Sequence, residues 1–300
     1  MDINSTNLQI LYRAFNTAFQ SGFAAVPTFW QLVATLVPSS TSQEDYAWLG
    51  DIKAMREWIG DRVINSIKQH GYSIKNRPFE LTQGVDRDKI EDNQVGLYNP
   101  LFAMMGDSAA KHPDELVFAL LLAGFTTNCY DGQYFFDTDH PVIQPDGSTV
   151  SISNMQAGAS SAWFLMDLSR PLKPLIFQQR KKPNFAALNQ ETDVNVFMRK
   201  EYIYGIDCRD NAGFGFWQMA YGSKATLDAG SFEAAYNAMG ALKKESGVPL
   251  GIKATHLVVG TGNSSAGRTI TQAQLVADGG AGVSNINFNR VQLIECPWLP

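Results

Sequence analysis

Charge is scarce in this sequence of 300 residues: Asp, Glu, Lys and Arg together make up 18% of it, against about 25% in ordinary globular chains. The 24 basic and 29 acidic side chains leave a net charge of −5. Such a balance supplies no basic face for phosphates, which excludes tight nucleic-acid binding. Cysteine is nearly absent too. Cys129, Cys208 and Cys296 are odd in number and far apart, which excludes a disulfide framework or a zinc-ligand spacing and points to a reducing compartment. No run approaches the roughly 20 apolar residues of a membrane span. The start, "MDINSTNLQILYRAFNTAFQSGF", has an acidic Asp2, no basic leader and no continuous apolar core, so no signal peptide is expected there. The expectation is a soluble protein made in the cytoplasm.

Catalytic patterns are also missing. "GTGNSSAG", Gly260 to Gly267, lacks the Gly-Lys-Ser/Thr ending of a phosphate-binding loop and the third glycine of a dinucleotide fingerprint. No Gly-x-Ser-x-Gly or His-Glu-x-x-His occurs. The "DTDH" cluster of Asp137, Asp139 and His140 is the best candidate metal or acid/base site. No second ligand cluster accompanies it in sequence. Asp131-Gly132 and Pro141 mark a turn-rich loop, so it reads as a hydrogen-bonded structural element. His70, His112 and His256 are scattered, Cys208 reads as a buried structural thiol, and the basic run "QQRKKP", residues 178 to 183, reads as a solvated turn. No catalytic, cofactor-binding or metal-binding residue is assigned.

What is present is apolar and aromatic: 45% hydrophobic and 11% Phe, Trp and Tyr, with ample length for a core. Aromatic richness combined with low charge is the composition of a surface partly hidden in partner contacts. Ser5 or Thr6 can cap a first helix with Leu8, Leu11, Phe15, Ala18 and Phe19 on one side and Gly22 at its end. An arm broken by Pro27 and Pro38 follows, then a helix with Trp48, Ile52, Met55 and Ile59. "NPLFAMMGDSAAKHPDELVFALLLAGF" predicts a long helix capped by Asn99 and kinked or broken near Pro113. "WFLMDL", "LKPLIFQQ", "NVFMRKEYIYGID" and "FGFWQMAYG" read as strands. "SFEAAYNAMGALKKESGVP" reads as a helix capped by Ser231, "THLVVG" as a buried strand, "TGNSSAG" as a loop and "RVQLIECPWL" as a last strand. Helices and strands mix without βαβ alternation, so the class is α+β.

"SIKNRPFELTQGVDRDKIEDN", residues 73 to 93, spaces Ile74, Phe79, Leu81, Val85 and Ile90 like one side of an extended ribbon. Its few large apolar groups do not offset the backbone entropy lost on ordering it. It therefore needs a second surface, and the expectation is that another copy of the chain supplies it.

"REWIGDRV", "GYSIKNRPFELTQGVDRDKIEDN", "HPDELVFALLLAGF", "CYDGQYFFDTDHPV", "NVFMRKEYIYGIDCRDNAGFGFWQMAYGSK" and the closing "PWL" together resemble the major head subunit of Mu-like tailed phages and prophages. The resemblance runs from about residue 45 to the C-terminus. It implies the Hong Kong 97-type capsid fold, with an N-terminal arm over 1–45 and the start of a peripheral domain over 46–70. An extended hairpin loop would occupy 71–96, the peripheral domain with a long spine helix 97–190, and a mainly axial domain 191–288. A C-terminal strand over 289–300 would return to the peripheral domain.

The implied function is a structural shell protein, not an enzyme, that forms hexamers and pentamers of an icosahedral head around double-stranded DNA, without sequence-specific contact. The implied location is the virion capsid, assembled in the host cytoplasm. Implied partners are further copies of the chain, a scaffold or protease protein during assembly, a portal protein and a decoration protein. The expected subunit-interface residues are Ile74, Arg77, Phe79, Glu80, Leu81, Asp86, Arg87 and Asp88 of the hairpin, with Phe15 and Phe19 of the arm. A cellular cargo compartment of the same fold and a metal-dependent hydrolase built on "DTDH" are the alternatives.

Overall fold

The structure, a computed structural model, describes residues 3–46, 49, 71–92, 95–144, 146–244, 247–278 and 281–300. The expected helix with Trp48, Ile52, Met55 and Ile59 lies outside the described residues. In chain order the elements begin with α1 (Ser5–Ala25), α2 (Trp30–Val33), β1 (Ala34–Pro38), β2 (Gln43–Asp45), β3 (Ser73–Lys75), β4 (Arg77–Asp86), α3 (Arg87–Glu91) and α4 (Asn99–Ala123). Next come β5 (His140–Ile143), β6 (Thr149–Ile152), β7 (Met155–Gln156), β8 (Trp163–Met166), β9 (Leu175–Leu188), α5 (Val194–Arg199), β10 (Glu201–Phe214) and β11 (Ala220–Ser223). The last are α6 (Ala229–Gly240), β12 (His256–Val259), α7 (Ser264–Thr271), β13 (Leu275–Asp278), β14 (Ala281–Ser284) and β15 (Gln292–Glu295).

The cap of α1 is Asn4, one residue before the expected Ser5, and its side chain accepts the Asn7 N–H at 2.8 Å. Its stripe of Leu8, Leu11, Phe15 and Phe19 is buried as expected, but inside its own chain. Phe15 stacks on Phe102 of α4 at 4.2 Å and meets Tyr204 of β10 edge-on at 5.1 Å. Phe19 stacks on Phe185 of β9 at 5.5 Å. Gly22 does not end the helix. A Cβ there would collide with the Ala103 carbonyl of α4, and one at Gly106 would collide with the Phe19 carbonyl. These two glycines let the backbones of α1 and α4 touch. The expectation that Phe15 and Phe19 reach a neighbouring subunit is therefore corrected: both are buried in their own chain, and α1 packs its apolar stripe into the subunit's core.

α4 is continuous through Pro113. Proline there leaves the Ala109 carbonyl without its usual donor, yet the helix is fastened on either side of the gap. His112 Nε2 lies 3.0 Å from Asp210 of β10, and Asp114 accepts the N–H groups of Phe29 and Trp30. The N-terminal half of α4 buries Phe102, Met105 and Ala109 against α1 and β10, and its C-terminal half sends Val117, Phe118 and Leu121 into a second, larger core. One helix thus spans two cores.

The first core lies under a four-stranded sheet of order β1-β9-β10-β4. β10 reads as a two-faced strand, with Tyr202, Tyr204, Ile206, Cys208 and Asp210 turned inward and the residues between them half-exposed. β9 pairs with it antiparallel from Leu175–Phe214 to Leu188–Ile203, crossing the expected domain boundary at residue 190. The basic run at 178–183 lies inside β9 rather than in a turn, at a register irregularity opposite Asp207 and Arg209. The second core surrounds a five-stranded sheet, β15-β12-β8-β11-β7, with α6 among its buried neighbours. β15 pairs with β12 in this sheet and does not return to the other one. The tail after it passes α1 and α4, where Pro297 and Trp298 line a groove with Ala25, Pro27, Met104 and Asp107, while Leu299 is buried in the second core.

Two further local expectations are corrected. Residues 194–199 are helical, not extended, because Asp193 opens a helix that Lys200 closes in the left-handed region at φ 54°. Residues 264–271 form α7 rather than a loop, and Asp228, not Ser231, caps α6 by accepting the Ser231 N–H at 2.8 Å.

Candidate functional site

Residues 73–92 are covered by their own chain. β4 runs antiparallel to β10 over ten residue pairs, from Arg77–Asp210 to Asp86–Glu201. Ahead of it, β3 pairs with β2. A buried network locks this corner: Tyr46 Oη donates to Gln178 Oε1 at 2.8 Å, and Gln178 Nε2 donates to the Ile74 carbonyl at 3.0 Å and to Asn76 Oδ1 at 2.9 Å. Asn76 Nδ2 in turn reaches Ser39 Oγ and the Thr41 carbonyl. The surface that orders this ribbon is residues 201–210 of the same chain, and the expected need for a second copy is corrected.

The expected interface residues divide accordingly. Ile74 is buried in its own core. Phe79 is half-buried, edge-on to His112 at 4.3 Å, with the Arg77 guanidinium 5.3 Å from its ring centre. Asp86 caps α3 by accepting the Asp88 N–H at 2.8 Å, and Arg87 pairs with Glu91 at 2.9 Å. Asp88 lies 3.9 Å from Lys200. What remains open is the outer edge of the sheet: Arg77, Pro78, Glu80, Leu81 and Thr82 are exposed, Leu81 by 38%. Among the described residues β4 has β10 on one side and no strand on the other. An unpaired edge carrying charges and a proline is guarded against indiscriminate pairing and still offers hydrogen-bonding groups to a matched partner.

The "DTDH" loop is a closed hydrogen-bonded unit. His140 is fully buried and stacks on Trp217, ring centres 3.9 Å apart and 9° from parallel. Its Nδ1 meets Asp131 Oδ2 at 2.7 Å and its Nε2 meets Asn154 Oδ1 at 3.2 Å. Asn154 is oriented by donation to the Phe135 carbonyl, and its Oδ1 also accepts the Asp137 N–H. Asp131 Oδ1 accepts from the Cys129 thiol and the Gln133 N–H. Burial pushes the Asp131 carboxyl up, but the His140 contact and these bonds outweigh it and hold it below the usual carboxylate range. A hydrolytic metal needs an open coordination position, and each ligand-type atom of Cys129, Asp131 and His140 is engaged in a hydrogen bond. The Asp137 carboxylate serves the turn by accepting the Tyr134 and Thr138 N–H groups, while Asp139 is exposed.

A second group, His112, Cys208 and Asp210, brings α4 and β10 together. Burial first, then the Asp210 carboxylate, pushes the Cys208 thiol up to about 12. Cys296 is likewise pushed up to about 12 by burial. Neither is a nucleophile at neutral pH.

Sequence reasoning missed one exposed feature, the apolar face of α5. Val194, Phe197 and Met198 stand in solvent at the turn between β9 and β10. The signal was Asp193 ahead of a six-residue segment that ends in Arg199 and is followed by Lys200, a charge-ordered helix too short to show periodicity.

A model of the family described as Mu-like prophage major head subunit gpT matches residues 8–299. The major capsid protein of Escherichia phage Mu is 40% identical over 305 residues, spanning 100% of both chains. The subunit in the procapsid of bacteriophage JBD30 superposes with a TM-score of 0.87 at 45% identity, covering 99% of this chain and 100% of that one. The subunit in the JBD30 capsid decorated with minor capsid protein trimers gives 0.77 at 34% identity, covering 92% of each.

Proposed function

The chain belongs to the Mu-like prophage major head subunit family, and from that premise we propose how its surfaces build a shell. It is the major capsid protein of a tailed-phage head, a structural protein of the virion capsid with the α+β capsid fold. We assign the four-stranded sheet with α1 and α4 to the peripheral part of the subunit and the five-stranded sheet with α6 and α7 to the axial part. α4 crosses between the two cores as the spine.

The observation that carries the assembly reading is the free edge of β4. A strand held by ten pairs to β10 exposes Arg77, Glu80, Leu81 and Thr82 and has no second partner strand among the described residues. In the shell a neighbouring copy covers this edge, and the charged pairs set its register rather than its affinity. The ring sizes are those of hexamers and pentamers, and the net charge of −5 suits a wall that encloses DNA without adhering to it. A scaffold or protease protein, a portal and a decoration protein complete the proposed partners. The decorated JBD30 capsid supports the last of these by analogy.

Leu81→Asp tests the edge. The variant subunit should melt like the parent, because Leu81 is outside the core, and should fail to close heads in electron micrographs. Normal heads would remove β4 from the interface.

A further inference from the structure

The turn between β9 and β10 carries α5, and this helix buries only one of its apolar side chains well: Val196 is 2% exposed. Val194, Phe197 and Met198 are 77%, 82% and 70% exposed, and Leu188 at the end of β9 is 54% exposed. Residues 194, 197 and 198 share one face of the helix, being three and four positions apart. A six-residue helix gains little stability by itself, so these apolar groups do nothing for the fold of the free subunit. Contiguous exposed apolar side chains rimmed by charge mark a contact surface.

The rim identifies the partner. Glu191 and Asp193 precede the patch and Arg199 and Lys200 follow it. Among the described residues Glu191 and Arg199 make no ion pair, and Lys200 only approaches Asp88 at 3.9 Å. An apolar face with acid at one end and base at the other is complementary to a copy of itself placed antiparallel across a two-fold axis. Three side chains bury far less than the roughly 1,200–2,000 Å² of a free-standing complex. The contact therefore forms only where other interfaces already hold the subunits in place.

Resting on the shell-subunit reading, we propose that the α5 tip is the contact by which subunits of separate rings meet. Val194, Phe197 and Met198 of one copy pack on those of another, and Arg199 of one copy faces Glu191 of the next. Because the patch is small, free rings stay apart and closed heads hold together.

Three measurements on heads from producing cells test this. Phe197→Cys co-expressed with the parent chain, then treated with a short bismaleimide, should give covalent dimers of the chain, since Cys129, Cys208 and Cys296 are buried. Phe197→Ser combined with Met198→Ser should melt as the parent does and accumulate rings in place of closed heads. Arg199→Glu should lower the yield of heads several-fold, and adding Glu191→Arg should restore it. Heads at parental yield from the double serine variant overturn the proposal. So does coupling of the thiol at 197 to a different protein, such as a decoration subunit. Absence of the parent chain from heads altogether would instead remove the shell-subunit reading, which keeps the two failures apart.

Discussion

Asp114 Oδ1 accepts the backbone N–H of Trp30 at 2.7 Å, tying the middle of the spine helix to the turn that follows α1. The same atom takes the Phe29 N–H at 3.0 Å, and the residue is 1% exposed. Burial pushes its carboxyl above the ordinary range, opposed by these two bonds and by the Trp298 side chain. One carboxylate thus joins α4, the exit of α1 and the C-terminal tail.

Asp114→Ala would strand two buried N–H groups, each costing about 1–3 kcal/mol. The expected loss is about 2–4 kcal/mol in denaturant unfolding of the free subunit. A variant that unfolds at the parental midpoint would show that the turn is held by other means.

Phe15→Ala removes a ring packed between α4 and β10 and should cost about 3–5 kcal/mol. The loss should appear in melting of the unassembled subunit, not only in shells. Gly106→Val should act in the same direction by pushing α1 off α4, at about 1–3 kcal/mol or more. If Phe15→Ala left the free subunit unchanged and weakened only assembly, α1 would belong to a neighbour's surface after all.

His140→Ala leaves Asp131 without its partner and Trp217 without its stacking ring. Losing this buried hydrogen bond to a carboxylate costs about 1–3 kcal/mol, to which the emptied ring space adds. Tryptophan fluorescence should shift along with the melting temperature, whereas bound-metal content should stay unaltered between parent and variant. Loss of a stoichiometric metal on His140→Ala would return the loop to metal chemistry.

Glu44 is held down to about 2 from the ordinary 4.5 by Ser39, whose hydroxyl donates to it, and by the Ser40 N–H, the Thr41 hydroxyl and the Thr41 N–H. A depressed carboxyl stabilises the fold above its unfolded value and loses that contribution as pH falls through the folded one. The 39–45 turn should therefore loosen between about pH 4.5 and pH 2. Glu44→Gln should remove this dependence, as followed by amide exchange of residues 40–44. Identical pH profiles for parent and variant would refute the assignment.

Much of the fold is legible in local pattern. The apolar stripe of α1, the Gly124 stop of α4 and the alternation of Tyr202, Tyr204 and Ile206 all correspond to observed features, whereas α4 is preceded by Tyr98 and not capped by Asn99, which is its first residue. Where local reading failed, a distant contact had overridden it. Pro113 should break a free helix, but His112 and Asp114 fasten α4 to β10 and to Trp30. Asp193 starts a helix in a stretch whose β-branched and aromatic residues favour a strand.

By itself the sequence determined that residues 73–93 must lie against another surface, since their apolar content falls short of the entropy of ordering them. It also determined the family, through long irregular stretches in fixed order. Only the tertiary structure decided that the covering surface is β10 of the same chain and that the free edge lies on the far side of β4. The reason is physical: the N–H and C=O groups of a strand are the same at every residue, so a sequence can declare an unpaired ribbon without naming its partner.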